Sequence, residues 1–173
     1  MVSLFIGRFQ PVHRGHLHTI KQILERDDEL IIAIGSAQHS HTPDNPFSGG
    51  ERLMFLKHAL MEEGLSMDKI SIVPVPDIGI NPLWISHLSS LIPYYDRVVT
   101  HNPLVKTLFR DAGIEVFETE LLERNTLSAK HVRELMRWNG DWEPLVPKSV
   151  VKLIKKYKLD ERVRNVGEAR IKR

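Results

Sequence analysis

At 173 residues the chain is long enough for one domain with a substantial buried core, and its 42% hydrophobic and 27% charged residues are ordinary for a globular protein. A formal net charge of only +2, with both signs interspersed, argues against nucleic acid as a partner. Zero cysteines exclude disulfides and cysteine metal ligands, and no apolar run approaches the roughly 18 residues of a membrane span.

The first residues run directly into an apolar stretch, 2–6, that reads as a buried strand. They lack the basic segment and cleavage site of a secretory signal, so a cytoplasmic location is expected. Residues 7–16 follow, a polar loop punctuated by Gly7 and Gly15. The spacing of Leu17, Ile20 and Leu24 predicts a helix over about 16–27. A strand, a glycine-bearing loop and a helix start place unpaired backbone N–H groups and a positive dipole end at the junction, which favours anions. With Arg8, His13, Arg14 and His16 gathered there, the loop is read either as a phosphate site or as a merely solvated polar loop.

Residues 29–35 form a second apolar, β-branched strand, so the opening reads as a β-α-β unit in a parallel sheet. The small, polar and proline-rich residues 35–47 leave its carboxyl end, where ligands sit in open parallel sheets. His39 and His41 stand two apart here, but without a cysteine or carboxylate cluster they do not suggest a metal. Ser48 and Glu51 make a capping box. The helix it opens should run to about Glu63, bury Leu53, Leu56, Ala59 and Leu60, and stop at Gly64. Glu51 is read as structural, whereas Arg52 is either a solvated charge or a phosphate ligand.

Residues 70–75 form a third strand, and Asp77 directly after it occupies a common place for site carboxylates. Asn81 and Pro82 read as N-cap and first helical residue, with Trp84 in the first turn of a helix reaching about Leu91. Trp84 is either core or an aromatic face for a planar ring. Residues 97–100 make a fourth strand. Asn102 and Pro103 repeat the cap-plus-proline pattern before a helix that should bury Leu104, Leu108 and Val105, and Gly113 precedes a fifth strand at 114–117. Ser128 caps another helix, with Arg133 one and a half turns inside it. Val150, Leu153, Ile154 and Tyr157 mark a closing amphipathic helix with Lys152, Lys155, Lys156 and Lys158 on its wet face. Residues 160–173 read as a basic tail, frayed or touching another subunit, that carries Arg162, Arg164, Arg170, Lys172 and Arg173. The whole, 1–173, is expected to be one domain, a doubly wound α/β fold of Rossmann type around a mostly parallel sheet of five or six strands.

The opening G-R-F-Q-P-V-H-R-G-H resembles the (H/T)-x-G-H motif of the nucleotidyltransferase superfamily, and in its fuller form the archaeal-type nicotinamide-mononucleotide adenylyltransferases. The runs G-S-A-Q-H-S-H, N-P-F-S-G-G-E-R and D-I-G-I-N-P-L-W extend the likeness, as do H-N-P at 101–103 and the stretch from Arg124 and Asn125 to Arg133. This resemblance implies transfer of AMP from ATP to nicotinamide mononucleotide, with nicotinate mononucleotide a second candidate substrate. It places ATP against Gly7, Arg8, Phe9, His13, Gly15, His16, Asn102, Ser128, Lys130 and Arg133, with Arg8, His13, His16 and Arg133 catalytic. It places the mononucleotide against Ser36, Gln38, Phe47, Arg52, Asp77, Ile78, Asn81 and Trp84. It implies Mg²⁺ held mainly through the ATP phosphates, no protein metal site, and a homo-oligomer, often a hexamer. His101, Ala129 and Lys130 depart from the family pattern. The alternatives are another superfamily adenylyltransferase, acting on phosphopantetheine or flavin mononucleotide, and a non-catalytic nucleotide sensor.

Overall fold

The computed structural model describes residues 1–120, 122 and 126–168; Arg124, Asn125, Arg170, Lys172 and Arg173 lie outside the described residues. The elements run β1 (Val2–Gly7), α1 (Arg14–Leu24), β2 (Glu29–Ile34), α2 (Gly49–Glu62), β3 (Ile70–Pro74), α3 (Asn81–Leu91), β4 (Arg97–Val99), α4 (Pro103–Asp111) and β5 (Glu115–Phe117). Then come α5 (Ala129–Arg137), α6 (Lys148–Lys156) and α7 (Leu159–Glu168).

The β-branched run of β2 cannot leave one face wet, because its side chains alternate between two apolar layers. Leu30, Ile32 and Ile34 pack with α1, α2, α5, α6 and α7 on one side of the sheet. Ile31 and Ala33 pack with Leu88 of α3 and Phe109 of α4 on the other. The strand order is β3-β2-β1-β4-β5 and every neighbouring pair is parallel. The chain winds outward from β1 to β3, then returns to the other side of β1 with β4. The strand order therefore reverses between β1 and β4, and the crevice outside their carboxyl ends is where such a fold binds ligands.

The amino end of the sheet is locked by a buried network remote from that crevice. Arg97 reaches both oxygens of Asp27, at 2.7 and 2.9 Å, and Ser3 donates to the same carboxylate at 2.6 Å. With both charges hydrogen-bonded, removing either would leave the other buried and unpaired, at a cost of about 3–5 kcal/mol.

Local chemistry explains the helix starts. Ser48 Oγ accepts from Glu51 N while the Glu51 carboxylate accepts from Ser48 N, Asn102 accepts from Leu104 N and Val105 N, and Ser128 accepts from His131 N. Four expectations change. The first helix begins at Arg14 with His13 as its cap, two residues earlier than the apolar spacing implied. Asn81 is the first residue of α3 and Ile80 its cap. On α4 it is Phe109 that is fully buried, while Leu104 is 51% exposed. Finally, residues 159–168 are not a frayed tail: they form α7, which packs on α5 and α6 through Leu159 and Val163. Arg162 there makes two bonds to the Glu51 carboxylate, at 2.7 and 2.9 Å, and Arg164 pairs with Asp160 at 3.2 Å. Among the described residues no helix is long and apolar enough to cross a membrane.

Candidate active site

The loop leaving β1 is shaped around two histidine rings. His13 and His16 stack with centroids 3.7 Å apart, and Phe9 supports His16 from 4.8 Å. The His13 backbone N–H donates to His16 Nδ1 at 3.2 Å. That bond makes Nδ1 an acceptor, so neutral His16 carries its hydrogen on Nε2, as a donor. Burial lowers the His13 pKa to about 4. Burial and the neighbouring ring push His16 well below the ordinary histidine range. At neutral pH both rings are therefore uncharged, and Arg8 supplies a formal positive charge on the cavity wall. The glycines leave room for these rings: a Cβ on Gly7 would stand 2.9 Å from the Phe9 ring, and one on Gly15 would stand 3.0 Å from the His13 ring, which would have to give way.

The loops after β2 and β3 are tied to each other. Ser36 Oγ donates to the Asp77 carboxylate at 2.6 Å, and the Gln38 amide bonds both the N–H and the carbonyl of Asp77, at 2.9 and 3.0 Å. Gln10, which sequence reasoning passed over, does the same service between the opening loop and Phe47, donating to its carbonyl at 2.8 Å and accepting from its N–H at 3.0 Å. Gln10 also offers its own carbonyl to Arg133 at 2.9 Å.

These loops surround one cavity of about 540 Å³ at the β1/β4 crevice. Arg8, His13, His16 and Thr19 line it from the opening loop and α1, and Ser36, Asp77, Asn81 and Trp84 from the loops after β2 and β3 and the start of α3. Leu104, Val105 and Leu108 from α4, with Leu122 and Leu127, give it an apolar wall. The starts of α1, α3 and α4, at His13, Asn81 and Asn102, all reach the cavity, so three positive dipole ends converge on it. Asp77 is the one carboxylate that lines it among the described residues.

Ten of the sequence-derived site residues meet at this cavity: Gly7, Arg8, His13, Gly15, His16, Ser36, Asp77, Asn81, Trp84 and Asn102. The others do not line it. Phe9 and Phe47 are core side chains, 1% and 0% exposed, and act through what they support. Gln38 holds Asp77, Ser128 caps α5, and Ile78 lies beside the rim, 37% exposed. Arg52 is neither solvated nor a surface ligand but wholly buried, bonded to backbone carbonyls. Arg133 is 5% exposed and sits behind the opening loop, close enough to Arg8 for their charges to oppose each other. The Lys130 side chain is 80% exposed, its ammonium 4.0 Å from Glu134, so it stands in solvent. His101 lines the cavity and its Nε2 lies 3.1 Å from Thr119 Oγ1. The apolar wall of α4 carried a signal, the Leu104/Leu108 stripe, but helical spacing does not distinguish a core from a cavity wall. Among the described residues no group of three or more His, Cys, Asp or Glu side chains could hold a metal ion.

A parallel sheet with this switch point, and an anion-ready cavity lying on it, defines a nucleotide-binding α/β protein. The chain belongs to the cytidylyltransferase-like family, whose model matches residues 4–135. It is 46% identical over 170 residues to the nicotinamide-nucleotide adenylyltransferase of Ignicoccus hospitalis, covering 97% of this chain and 99% of that protein. It is 43% identical to the enzyme of the same name from Archaeoglobus fulgidus, over 96% of this chain and 98% of that one. The relative of that name from Pyrococcus furiosus is 45% identical over 94% of this chain and 87% of its own length. A crystal structure of a bifunctional NMN adenylyltransferase/ADP ribose pyrophosphatase from Francisella tularensis, complexed with AMP and a manganese ion, shares the fold at a TM-score of 0.78 and 20% identity. That match covers 99% of this chain and 54% of the bifunctional one, so this chain spans about half of it.

Proposed function

We infer that this chain is a nicotinamide-nucleotide adenylyltransferase, which joins the AMP of ATP to nicotinamide mononucleotide and releases pyrophosphate, forming NAD. The observation that carries the reading is one continuous cavity walled by the Arg8–His13–His16 cluster and by Ser36, Asp77, Asn81 and Trp84. The full-length likeness to enzymes of that name supports it.

The chemistry asks little covalent work of the protein. A phosphate monoester is ionised at neutral pH, so attack on the ATP α-phosphorus needs no strong base. Catalysis rests on aligning two anions and stabilising the charge that gathers on the α-phosphate and the leaving pyrophosphate. We assign the triphosphate to Arg8, to the His16 Nε2–H, to His13 and to the start of α1, with Arg133 reinforcing the positive field from behind the loop. Neutral imidazoles suit this role, because they donate hydrogen bonds without demanding the proton that burial refuses them.

The mononucleotide is assigned to the side where Trp84 offers its ring and Asp77 its carboxylate. A single carboxylate in that wall accepts a bond from a carboxamide and repels a pyridine carboxylate, so nicotinamide mononucleotide is favoured over the nicotinate form. A divalent cation, Mg²⁺ in this reading, neutralises phosphate charge; with Asp77 the one carboxylate wall residue described, it would be held through phosphate oxygens and water. A cytoplasmic homo-oligomer completes the proposal, and the exposed Ile80, Leu83, Leu91 and Tyr94 on and beside α3 offer it an apolar face. The test is formation of NAD and pyrophosphate from ATP, Mg²⁺ and the mononucleotide.

A further inference from the structure

Arg52 heads the largest fully buried side chains of the protein, 0% exposed, in the first turn of α2. A cation out of water is costly unless its donors are satisfied. Among the described residues no carboxylate lies within ion-pair distance of it, although the Asp77 and Glu51 charges are near enough to favour the cation; its direct partners are backbone carbonyls. Nε donates to Ser48 O at 3.2 Å, Nη1 to Arg8 O at 2.9 Å and Gly35 O at 2.8 Å, and Nη2 to Ser36 O at 3.0 Å and His39 O at 3.4 Å. The donor complement of a guanidinium is spent on carbonyls from three separate segments.

Where those carbonyls lie gives the side chain its meaning. Arg8 and Gly35 follow the last residues of β1 and β2, which stand in register as Gly7 and Ile34, and Gly35 N already donates to Gly7 O at 2.9 Å. Nη1 thus sits between the exits of two adjacent strands and fixes the divergence of their loops. The residues just past those exits, Phe9 and Ser36, are in left-handed conformations, with φ of 50° and 51°. Such geometry is unfavourable for residues other than glycine and persists where the surroundings over-determine it. The carbonyl before Phe9 and those before and of Ser36 are the ones that Arg52 holds. Arg8 and Ser36 both line the cavity, one in the triphosphate wall and the other in the mononucleotide wall of the proposed reaction.

We propose that Arg52 is a positioning residue that sets the separation of the two substrate loops, and so the alignment of the attacking phosphate with the ATP α-phosphate. It touches neither substrate. This inference rests on the adenylyltransferase reading for its kinetic consequence but not for its structural one. Four of the five carbonyls belong to the 35–48 segment and one to the opening loop, so its loss should disturb the mononucleotide side first.

Arg52→Lys keeps the charge but offers one ammonium, which cannot span the same carbonyls. For the folded variant we expect kcat to fall about 10- to 100-fold and KM for the mononucleotide to rise about tenfold, with KM for ATP within about threefold of wild type, as expected when a reacting group is misplaced by an ångström or less. A folded variant in which both KM values and kcat stay within about threefold overturns the proposal, as does a lower kcat that merely follows the folded fraction with both KM values unchanged. Should the variant fail to fold, hydrogen exchange on the wild-type chain decides. The ligand-free protein should protect the amides of Gly35, Ala37 and His39, which donate to the carbonyls of Gly7, Val75 and Ser36, as strongly as the strands beside them. Exchange at the rate of an unstructured loop overturns the proposal. A wild-type protein that makes no NAD yet shows that protection would defeat the reaction and leave the positioning role standing.

Discussion

The His13 and His16 rings lie against each other with centroids 3.7 Å apart and planes tilted by 30°, and the backbone N–H of the first donates to Nδ1 of the second. The pair is buried enough to be neutral at physiological pH, and that has a consequence for stability. An unfolded histidine titrates near pH 6.5, folded His13 near 4, so between these values the unfolded chain binds the extra proton and stability rises with pH. The full contribution is present above about pH 6.5 and is lost as pH falls towards about 4, amounting to about 3 kcal/mol for His13 alone. Urea unfolding at a series of pH values should show this slope in the wild type and, in His13→Gln, a slope smaller by the His13 share, with that of His16 remaining. Equal slopes would contradict the buried neutral ring.

His16→Ala removes the Nε2–H donor assigned to the triphosphate. Turnover should drop about a hundred- to a thousandfold, the usual loss for one preorganised donor, while circular dichroism stays that of the wild type. Near-normal turnover in a folded variant would remove His16 from the mechanism.

Gly15→Ala separates packing from catalysis. The added Cβ would stand 3.0 Å from the His13 ring and 3.5 Å from Leu127 Cβ, so the ring must give way. Gly15 lies in the first turn of α1 and its φ is not left-handed, so alanine also favours the helix by up to about 1 kcal/mol. The expected outcome is a melting temperature held or raised, with kcat about 10- to 100-fold lower. Unchanged kcat would show that the position of His13 is immaterial.

Asp77→Asn should relax the choice between the two mononucleotides. Asparagine keeps an acceptor for Ser36 Oγ but removes the charge that repels a pyridine carboxylate. The kcat/KM ratio of nicotinate to nicotinamide mononucleotide should rise about tenfold or more, as expected from one like-charge contact removed in a partly buried site. A ratio that does not move would place amide selection elsewhere.

Much of this was legible in the sequence because it is decided locally. The run of β2 announces a strand buried on both faces, and Ser48, Asn102 and Ser128 announce their helices because the cap bond closes within three residues. The cavity loops were found through their glycines, histidines and prolines. What escaped depends on distant partners. Asn81-Pro82 and Asn102-Pro103 are the same dipeptide, yet only Asn102 caps; Ile80 takes that place in α3, just after the left-handed turn at Gly79, and Asn81 reaches the cavity. Helix α7 has few apolar residues of its own; besides the core packing of Leu159 and Val163, it is held by Glu51, 111 positions away from Arg162. Arg52 looked like any arginine at a helix start. Only the folded chain shows five carbonyls turned towards it.

The most direct test mixes the purified protein with ATP, Mg²⁺ and nicotinamide mononucleotide and measures NAD and pyrophosphate together, with flavin mononucleotide and phosphopantetheine in parallel. NAD and pyrophosphate should form in equal amounts, with no comparable pyrophosphate release from the other two acceptors. Folded protein that forms no NAD, or that adenylylates one of those acceptors instead, would contradict the adenylyltransferase reading.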